Sequence, residues 1–317
     1  MKKVLVTARS FGKIAETPFQ VLRDGGLEVV MHPRRGPLEK HEMIPLIEDV
    51  EGIIVGTDII DDEVLSHAPL LKVVSKHGVG VDNIDLEAAR RRNIVVTNTP
   101  GANSVAVAEM ALCAMLALSR NVVEGDRRVR SGQWGTITGA ELSRKKVGIV
   151  GFGAIGRCLA RLLKGFACEI YAYDPYADKE AAGALGVSLV SLDELLDASD
   201  YVSLHVPNTQ ETRNMFSAET FAKMKKTAFL INLARGGVVD ELALAQALEA
   251  GQIAGAAVDV FSEEPPPLDH PLFQAPNVIV TPHIGAHSRE AMNNMSTMAA
   301  QNVVAVLTGQ GSPHIVR

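Results

Sequence analysis

The sequence predicts an α/β protein built on parallel sheets and divided into two domains, and three observations carry this prediction. Short apolar, β-branched segments alternate with helical patterns along almost the whole chain, which is typical of parallel α/β architecture. At 317 residues the chain exceeds the size at which a single core usually keeps growing. A glycine-rich turn between a predicted strand and a predicted helix begins only at Gly151. The turn therefore belongs to a second domain that follows an N-terminal α/β domain.

The first hundred residues alternate between strand and helix patterns. The predicted strands are residues 4–7, 27–31, 52–55, 71–75 and 94–97. Helical patterns such as residues 18–24 and 86–92 lie between them. This part of the chain contains no GxGxxG phosphate-binding motif.

A longer helix is predicted from Ser104 to about Arg120, and it is apolar on nearly every face. Such a helix must be covered on all sides. Burial within the subunit and burial at a subunit interface both satisfy this requirement. A polar stretch, residues 131–144, then leads to the glycine-rich turn.

The turn itself, residues 151–156 (GFGAIG), follows an apolar strand and opens a helical segment. Gly151 allows a tight turn, Gly153 lets backbone approach a pyrophosphate, and Gly156 lets helix and strand pack closely. The phosphates would then face the free N–H groups at the helix N-terminus. The motif in this context predicts a dinucleotide-binding unit.

The strand that follows, residues 168–173, ends on Asp174, 18 residues after Gly156. A carboxylate at this place accepts hydrogen bonds from the adenosine ribose hydroxyls and repels a 2′-phosphate. The next residues, 175–177, supply no Arg or Lys that could hold such a phosphate. The sequence therefore favours NAD over NADP.

After Asp174 the alternation of strands and helices resumes. Strands are predicted at residues 201–206, 228–233, 256–260 and 278–281, and helices at residues 191–198, 218–224, 241–250 and about 288–308. The first of these helices begins with a capping box formed by Ser191 and Glu194. We expect the last helix to pack back on the first domain, because chain ends tend to meet at a domain surface.

Composition and charge restrict the class of function. Apolar residues make up 47% of the chain and charged residues 21%, as in ordinary globular proteins. The net charge of −6 argues against nucleic-acid binding as the main task. Cys113, Cys158 and Cys168 show no metal-ligand spacing, so we expect reduced thiols, a reducing compartment and no metal.

Membrane and export signals are weak. The apolar segment at residues 4–6 is too short for a signal peptide, and Arg9 and Lys13 follow it. The apolar run at residues 111–118 is far shorter than the roughly 20 residues that cross a bilayer. We therefore expect a cytoplasmic protein with no membrane partner.

Three polar residues, Arg235, Glu264 and His283, each follow a predicted strand of the second half. Ligands collect at the carboxyl ends of strands in open α/β sheets, so all three could point into one crevice. Taken singly, each has an ordinary alternative as a surface charge or a structural histidine. Together they form a chemical set: a guanidinium for a substrate carboxylate, and an imidazole whose charged form a carboxylate stabilises for proton transfer.

Longer motifs around these residues resemble those of the NAD-dependent D-2-hydroxyacid dehydrogenases. They occur in order along nearly the whole chain, at residues 78–85 (GVGVDNID), 98–100 (NTP), 106–109 (AVAE), 205–207 (HVP), 233–240 (LARGGVVD), 259–265 (DVFSEEP) and 281–285 (TPHIG). The resemblance implies a Rossmann-type NAD-binding domain (residues 100–287) inserted into a flavodoxin-like substrate domain (residues 1–99 and 288–317). It also implies a homodimer, with residues 103–120 as a dimerisation helix.

The resemblance further implies roles for individual residues. Arg235 would bind the substrate carboxylate, His283 would act as acid and base, and Glu264 would hold His283. The family's formate dehydrogenases carry Gln where Glu264 stands, so this carboxylate indicates a hydroxy acid as substrate. The implied cofactor contacts are Gly151, Gly153, Ala154, Ile155, Gly156, Asp174, His205, Val206, Pro207, Thr212, Ala234, Asp259 and Gly285. The implied substrate contacts are Lys76, His77, Gly78, Val79, Gly80 and Asn103.

Within the family, residues 75–85 are most similar to those of the D-3-phosphoglycerate dehydrogenases, and Lys76 lies where a basic residue could meet a phosphate. Two features depart from that group. Gly135 replaces the basic residue often found after the tryptophan, here Trp134, and the chain ends at Arg317 without room for a C-terminal regulatory domain. Glycerate or hydroxypyruvate, glyoxylate and sulfonated analogues stay open as substrates.

One alternative belongs to another class of function. NAD-sensing transcriptional corepressors have the same fold and the same three polar residues, but they typically add disordered tails. This chain begins in its first predicted strand and ends soon after its last predicted helix. The sequence therefore favours an enzyme.

Overall fold

The structure, a computed structural model, describes residues 1–32 and 37–316; Arg317, the last residue of the predicted substrate domain, lies outside these ranges. The strands are β1 (Lys2–Val6), β2 (Leu27–Met31), β3 (Gly52–Val55), β4 (Val73–Lys76), β5 (Val95–Thr97), β6 (Lys146–Val150), β7 (Glu169–Tyr173), β8 (Ser188–Leu189), β9 (Tyr201–Leu204), β10 (Phe229–Asn232), β11 (Gly255–Val258) and β12 (Val278–Val280). The helices are α1 (Thr17–Asp24), α2 (Lys40–Ile47), α3 (Asp62–Ser66), α4 (Leu86–Arg91), α5 (Ser104–Ser119), α6 (Val122–Arg130), α7 (Ala154–Leu163), α8 (Lys179–Ala184), α9 (Leu192–Ala198), α10 (Ala218–Lys223), α11 (Glu241–Glu249) and α12 (Arg289–Leu307).

The chain separates into two compact units, of which the second is inserted into the first in chain order. The first comprises Met1–Asn103 and His287–Arg317, and the second comprises Ser104–Ala286. Each unit contains one parallel sheet with its own core. Every predicted strand is present within two residues of its predicted bounds.

The sheet of the first unit has the strand order β2-β1-β3-β4-β5, with all neighbours parallel. This is the flavodoxin-like order. The helix α12 packs on this sheet through Ala299, Ala300 and Val303, which share a core with Val4 and Val6 of β1. These apolar side chains are almost completely buried, so the C-terminal helix is an integral part of the first unit.

The sheet of the second unit has the order β12-β11-β10-β9-β6-β7-β8, again parallel throughout. Counted from β6, this is the Rossmann order 3-2-1-4-5-6 with a seventh strand at one edge. The predicted α/β class with its Rossmann-type and flavodoxin-like parts is therefore confirmed. The order also makes β10, β11 and β12 direct neighbours, which matters for the residues that follow them.

The long apolar helix α5 buries one face and leaves the other partly exposed. Val107, Ala108, Ala111 and Met115 are buried in the core of the second unit, whereas Val105 is 59% exposed. Among the described residues no single helix is long and apolar enough to span a membrane; α5 and α6 meet the length and composition criteria only as a pair bent by 60°.

The helix α6 is not predicted by the sequence pattern. It starts after Asn121. The φ of Asn121 is 52°, in the left-handed region, so the chain changes direction between α5 and α6. Within α6, Glu124 pairs with Arg127 and Arg128, and Asp126 pairs with Arg130, at helical spacing. Because these ion pairs are exposed to solvent, they contribute little to the stability of the helix.

Candidate active site

The three predicted catalytic residues lie at one edge of the second sheet. Arg235 follows β10, Glu264 follows β11 and His283 follows β12. These strands are parallel neighbours, so their carboxyl ends open on the same side. The strand order thus brings together side chains that are far apart in sequence.

His283 and Glu264 form a direct pair. The Nδ1 atom of His283 lies 2.7 Å from Oε2 of Glu264, and their side chains are 42% and 35% exposed. A carboxylate can only accept here, so Nδ1 carries the hydrogen that it donates. The other ring nitrogen, Nε2, is left as the atom for proton exchange.

The carboxylate of Glu264 is held in its ionised form. Burial by itself would raise the pKa of the Glu264 carboxyl, but the hydrogen bond and charge of His283 oppose this. The backbone N–H of Phe261, which donates to Oε1 at 3.1 Å, and the charge of Arg235 act in the same direction. The net result is a lowered pKa, so Glu264 remains a negative partner for the imidazole.

The backbone turn that carries His283 is shaped by Asp259. His283 has a φ of 52°, which is uncommon for a residue other than glycine. The carboxylate of Asp259 is buried and accepts the N–H groups of Ile284 (2.8 Å) and Gly285 (2.7 Å) and the hydroxyl of Thr281 (2.6 Å). The N–H of His283 donates to the carbonyl of Asp259 at 2.8 Å.

Asp259 is thus engaged within the chain, although the sequence resemblance implies a contact with the cofactor. Its carboxylate holds a turn whose conformation an L-residue rarely adopts. The cofactor contact of Asp259 is implied by the resemblance alone; the residues themselves give one signal, its position directly after the buried strand β11. That signal does not distinguish a ligand contact from a turn-forming carboxylate.

Arg235 lies at the start of a short 3₁₀ turn, Gly236–Val238. Its guanidinium Nη1 donates to the carbonyl of Ala234 at 2.7 Å. A Cβ built on Gly236 would lie 2.0 Å from the backbone carbon of Phe261. Only glycine therefore fits at Gly236, and the backbone after Arg235 touches the segment that leads to Glu264.

The predicted dinucleotide turn connects β6 to α7. Gly151 has a φ of 94°, and a Cβ there would lie 2.6 Å from the carbonyl oxygen of His205. A Cβ on Gly156 would lie 2.4 Å from the carbonyl oxygen of Gly151. By contrast, no described heavy atom lies within 4 Å of a Cβ built on Gly153. The fold therefore requires glycine at Gly151 and Gly156, whereas Gly153 borders open space.

This open space lies at the N-terminus of α7, where a phosphate is expected. The helix begins at Ala154 and Ile155, and no described side chain caps it at Gly153. Its first N–H groups and dipole therefore favour an anion. Asp174, at the end of β7, accepts the N–H of Phe152 on Oδ2 and that of Tyr176 on Oδ1, both at 2.8 Å.

A carboxylate oxygen has more than one lone pair, so Asp174 retains acceptor capacity for ribose hydroxyls.

The segment after β9 also has polar atoms that a bound dinucleotide could satisfy. Within the described residues, Nδ1 of His205 and Oδ1 of Asn208 are buried without a hydrogen-bond partner. Burial lowers the pKa of His205 to about 4, so this imidazole is neutral near pH 7. The residues present fit a bound dinucleotide.

The remaining predicted cofactor residues lie in the same unit. The hydroxyl of Thr212 donates to the carbonyl of Pro207 at 2.6 Å, which closes the loop after His205. A side-chain carbon of Val206 comes within 3.0 Å of a Cβ built on Gly151. Ala234 is nearly buried beside Arg235.

The predicted substrate residues belong to the first unit, at the end of β4. Lys76 is 9% exposed, and its Nζ donates to the carbonyl of Gly56 (2.5 Å) and to Oδ1 of Asn83 (2.7 Å). His77 is buried, its Nε2 lies 2.9 Å from the hydroxyl of Ser296, and burial lowers its pKa to about 4. Both side chains are therefore engaged inside the first unit.

The glycine loop that follows is held by its neighbours. The N–H of Gly78 donates to the hydroxyl of Thr99 at 3.1 Å, and Asn98 donates to the carbonyl of Val79 at 2.8 Å. Val79 is 39% exposed, and the loop continues through Gly80. Asn103 has a buried Oδ1 without a partner among the described residues.

Two further residues, which no sequence motif predicts, contact the segment that leads to Glu264. Glu241, at the start of α11, and His270, just before a 3₁₀ turn, form a partly buried pair at 3.1 Å. Neither residue belongs to a motif that indicates such a contact. Residues 1–32 and 37–316 contain no cluster of three or more His, Cys, Asp or Glu side chains that could hold a metal.

Comparisons with known proteins agree with this geometry. Residues 112–285 match the family model described as D-isomer specific 2-hydroxyacid dehydrogenase, NAD binding domain. D-3-phosphoglycerate dehydrogenase from Archaeoglobus fulgidus is 41% identical over 299 residues, which are 93% of this chain and 56% of that protein. Glyoxylate reductase from Thermofilum pendens is 43% identical over 298 residues, 91% of this chain and 88% of that protein.

Among solved structures, the TT0316 protein from Thermus thermophilus has a TM-score of 0.91 and 40% identity. The match covers 99% of this chain and 100% of that one. The chain thus spans only 56% of the phosphoglycerate dehydrogenase but most of the glyoxylate reductase.

Proposed function

The chain belongs to the D-isomer specific 2-hydroxyacid dehydrogenase family, and we propose that it is an NAD-dependent oxidoreductase acting on a small polar 2-hydroxy acid. The observation that carries the proposal is the 2.7 Å contact between His283 and Glu264 at the strand edge that also carries Arg235. A cation for a carboxylate and an oriented imidazole for a proton are the protein groups that this reaction needs.

In the proposed mechanism, NAD(H), when bound, supplies the nicotinamide that accepts or donates the hydride. Arg235 binds the substrate carboxylate through its planar guanidinium and orients C2. Nε2 of His283 takes the proton of the C2 hydroxyl during oxidation and returns a proton to the carbonyl oxygen during reduction. Glu264 holds Nδ1 and stabilises the imidazolium that forms.

The proposed cofactor site uses the turn at Gly151, Gly153 and Gly156. The N-terminus of α7 would hold the pyrophosphate, and Asp174 would accept the adenosine ribose hydroxyls. The open space beside Gly153 supports this assignment.

For the substrate, 3-phosphoglycerate is the first candidate, supported by the sequence of residues 75–85 and by the phosphoglycerate dehydrogenase relative. The contacts of Lys76 favour a second candidate. Its ammonium group is directed to Gly56 and Asn83, so it is not placed as an open cation for a distal phosphate. This supports a smaller acid, such as glyoxylate or hydroxypyruvate, as in the glyoxylate reductase relative.

A substrate panel tests the proposal. NADH oxidation is followed with 3-phosphohydroxypyruvate, hydroxypyruvate, glyoxylate, pyruvate and sulfopyruvate, and kcat/KM is compared among them. We expect turnover with at least one of these acids and a clear preference for NADH over NADPH. Tight NADH binding without turnover of any 2-keto acid would instead support the corepressor-like alternative.

We also propose a cytoplasmic homodimer. The exposed side of the α5–α6 region carries Val105, Val122, Val123 and Val129, each more than half exposed, which is typical of a surface that a partner covers. Light scattering coupled to size-exclusion chromatography measures the mass directly. A monomer at micromolar concentration would contradict this part of the proposal.

A further inference from the structure

A second histidine–carboxylate pair contacts the segment that leads to Glu264. Nε2 of His270 lies 3.1 Å from Oε2 of Glu241, and the two side chains are only 9% and 15% exposed. Both residues belong to the second unit. Burial distinguishes this pair from His283 and Glu264, which are 42% and 35% exposed.

The hydrogen-bond pattern defines which atom donates. The backbone N–H of Leu272 can only donate, and it lies 3.4 Å from Nδ1 of His270. Nδ1 therefore accepts, and the ring hydrogen is on Nε2, where it points to Glu241. The ring also packs edge-on against Phe261, with centroids 5.3 Å apart.

The other oxygen of Glu241 connects the pair to the site. Oε1 accepts the backbone N–H of Ser262 at 2.7 Å. One residue earlier, the N–H of Phe261 donates to Glu264 at 3.1 Å. The segment between β11 and Glu264 is thus held at two successive N–H groups, one by the partly buried carboxylate of Glu241 and one by the proposed catalytic carboxylate.

We propose that Glu241 and His270 are positioning residues that fix the backbone at Ser262 and so place Glu264 against His283. The inference rests on the proposed function, since it assigns these residues a role in the same proton transfer. Gly236 adds to the geometry, because its backbone lies against Phe261 and Ser262. Loss of the Glu241 carboxylate leaves the Ser262 N–H without its acceptor and lets the segment shift.

A double-mutant cycle tests the inference. We compare Glu241→Ala, Glu264→Gln and the double variant for kcat, KM and NADH affinity. Residues that act through one group give non-additive losses. We expect Glu241→Ala alone to lower kcat roughly tenfold with NADH affinity nearly unchanged, and to lower it no further in the Glu264→Gln background.

Conservative variants separate positioning from stability. His270→Gln keeps a side-chain N–H donor for Glu241 and should retain most activity, whereas His270→Leu should behave like Glu241→Ala. If Glu241→Ala does not fold, Glu241→Met carries the same cycle, because its side chain is of similar length but has no carboxylate for the N–H of Ser262 or for His270. Glu219→Ala is the matched control for Glu241→Ala, since Glu219 is an exposed acid in the first turn of α10 and shares only the helix-dipole effect.

The outcomes are distinct. Additive losses, with the double variant falling roughly another tenfold below Glu264→Gln, would overturn the positioning role and leave the proposed function intact. Equal effects of Glu219→Ala and Glu241→Ala would also overturn it. Wild-type turnover in Glu264→Gln itself would overturn both the inference and the proposed mechanism.

Discussion

His283 and Glu264, 19 residues apart in the chain, meet at 2.7 Å because β11 and β12 are parallel neighbours. The contact fixes the hydrogen on Nδ1 and leaves Nε2 as the reactive atom of the imidazole. It also holds the carboxylate ionised, as its lowered pKa indicates. The chemistry of the site therefore depends on this pair and on the elements that place it.

Replacement of the imidazole should remove proton transfer and spare the cofactor. For His283→Ala we expect turnover to fall by about 10²- to 10⁴-fold, with NADH affinity nearly unchanged. Steady-state NADH oxidation gives the first quantity and NADH fluorescence titration the second. Comparable losses in both would contradict the assigned role.

The guanidinium of Arg235 should not be replaceable by an ammonium group. Lys cannot form two parallel hydrogen bonds to a carboxylate, so Arg235→Lys should lower kcat/KM for the 2-keto acid by at least about tenfold. Arg161→Lys, on the exposed side of α7, is the control. Wild-type kinetics for Arg235→Lys would place the carboxylate site elsewhere.

The lowered pKa of Glu264 has a consequence for stability. A carboxyl whose pKa is lowered by folding stabilises the protein at pH values above its ordinary pKa, here 4.5. This contribution to the free energy of unfolding is lost as the pH falls through the folded-state pKa. We therefore expect the melting temperature of Glu264→Gln to lie below that of the wild type at pH 7. The gap should close as pH falls below 4.5, as thermal melts across pH would show; a gap that widens in acid contradicts the sign.

Two glycines of the same turn should respond in opposite ways. Gly156→Ala places a Cβ 2.4 Å from a backbone oxygen, so this variant should be clearly destabilised. Gly153→Ala meets nothing within 4 Å among the described residues, so it should fold with a stability within about 1 kcal/mol of the wild type. NADH binding by Gly153→Ala should nevertheless weaken, because the added methyl group occupies the space proposed for the pyrophosphate.

The cofactor preference should depend on Asp174. Asp174→Asn keeps one acceptor oxygen, for the N–H of either Phe152 or Tyr176, and removes the negative charge that repels a 2′-phosphate. We expect the ratio of kcat/KM for NADH over NADPH to fall. An unchanged ratio would show that discrimination resides in other residues.

Most of the fold could be predicted because its signals are local. Buried β-branched segments identify the strands, and the glycine turn with Asp174 identifies the Rossmann-type half. The helix α6 is not predicted because it is short and rich in charged residues, and none of its residues is buried. The strand β8 was missed because it is two exposed residues at a sheet edge.

The candidate active site also has residues that the sequence predicts and contacts that it does not. Arg235, Glu264 and His283 each follow one of three strands in the chain, so their convergence could be expected from the sequence. The contact of Glu241 with Ser262 and His270 depends on how α11 packs beside the segment after β11, and no local pattern encodes it. The inward direction of Lys76 depends on Gly56 and Asn83, which the sheet register and a loop bring together.

The left-handed backbone at His283 determines which substitutions remove the imidazole without disturbing the turn. Asparagine tolerates a φ near 52° better than alanine, and β-branched residues tolerate it worst. His283→Asn would thus remove the imidazole while the hydrogen bonds from Ile284 and Gly285 to Asp259 stay in place. His283→Val would disturb the turn as well. In any collection of natural or engineered relatives, inactive forms that keep this backbone should carry Asn or Gly here, and these would be suitable scaffolds for trapping bound substrate.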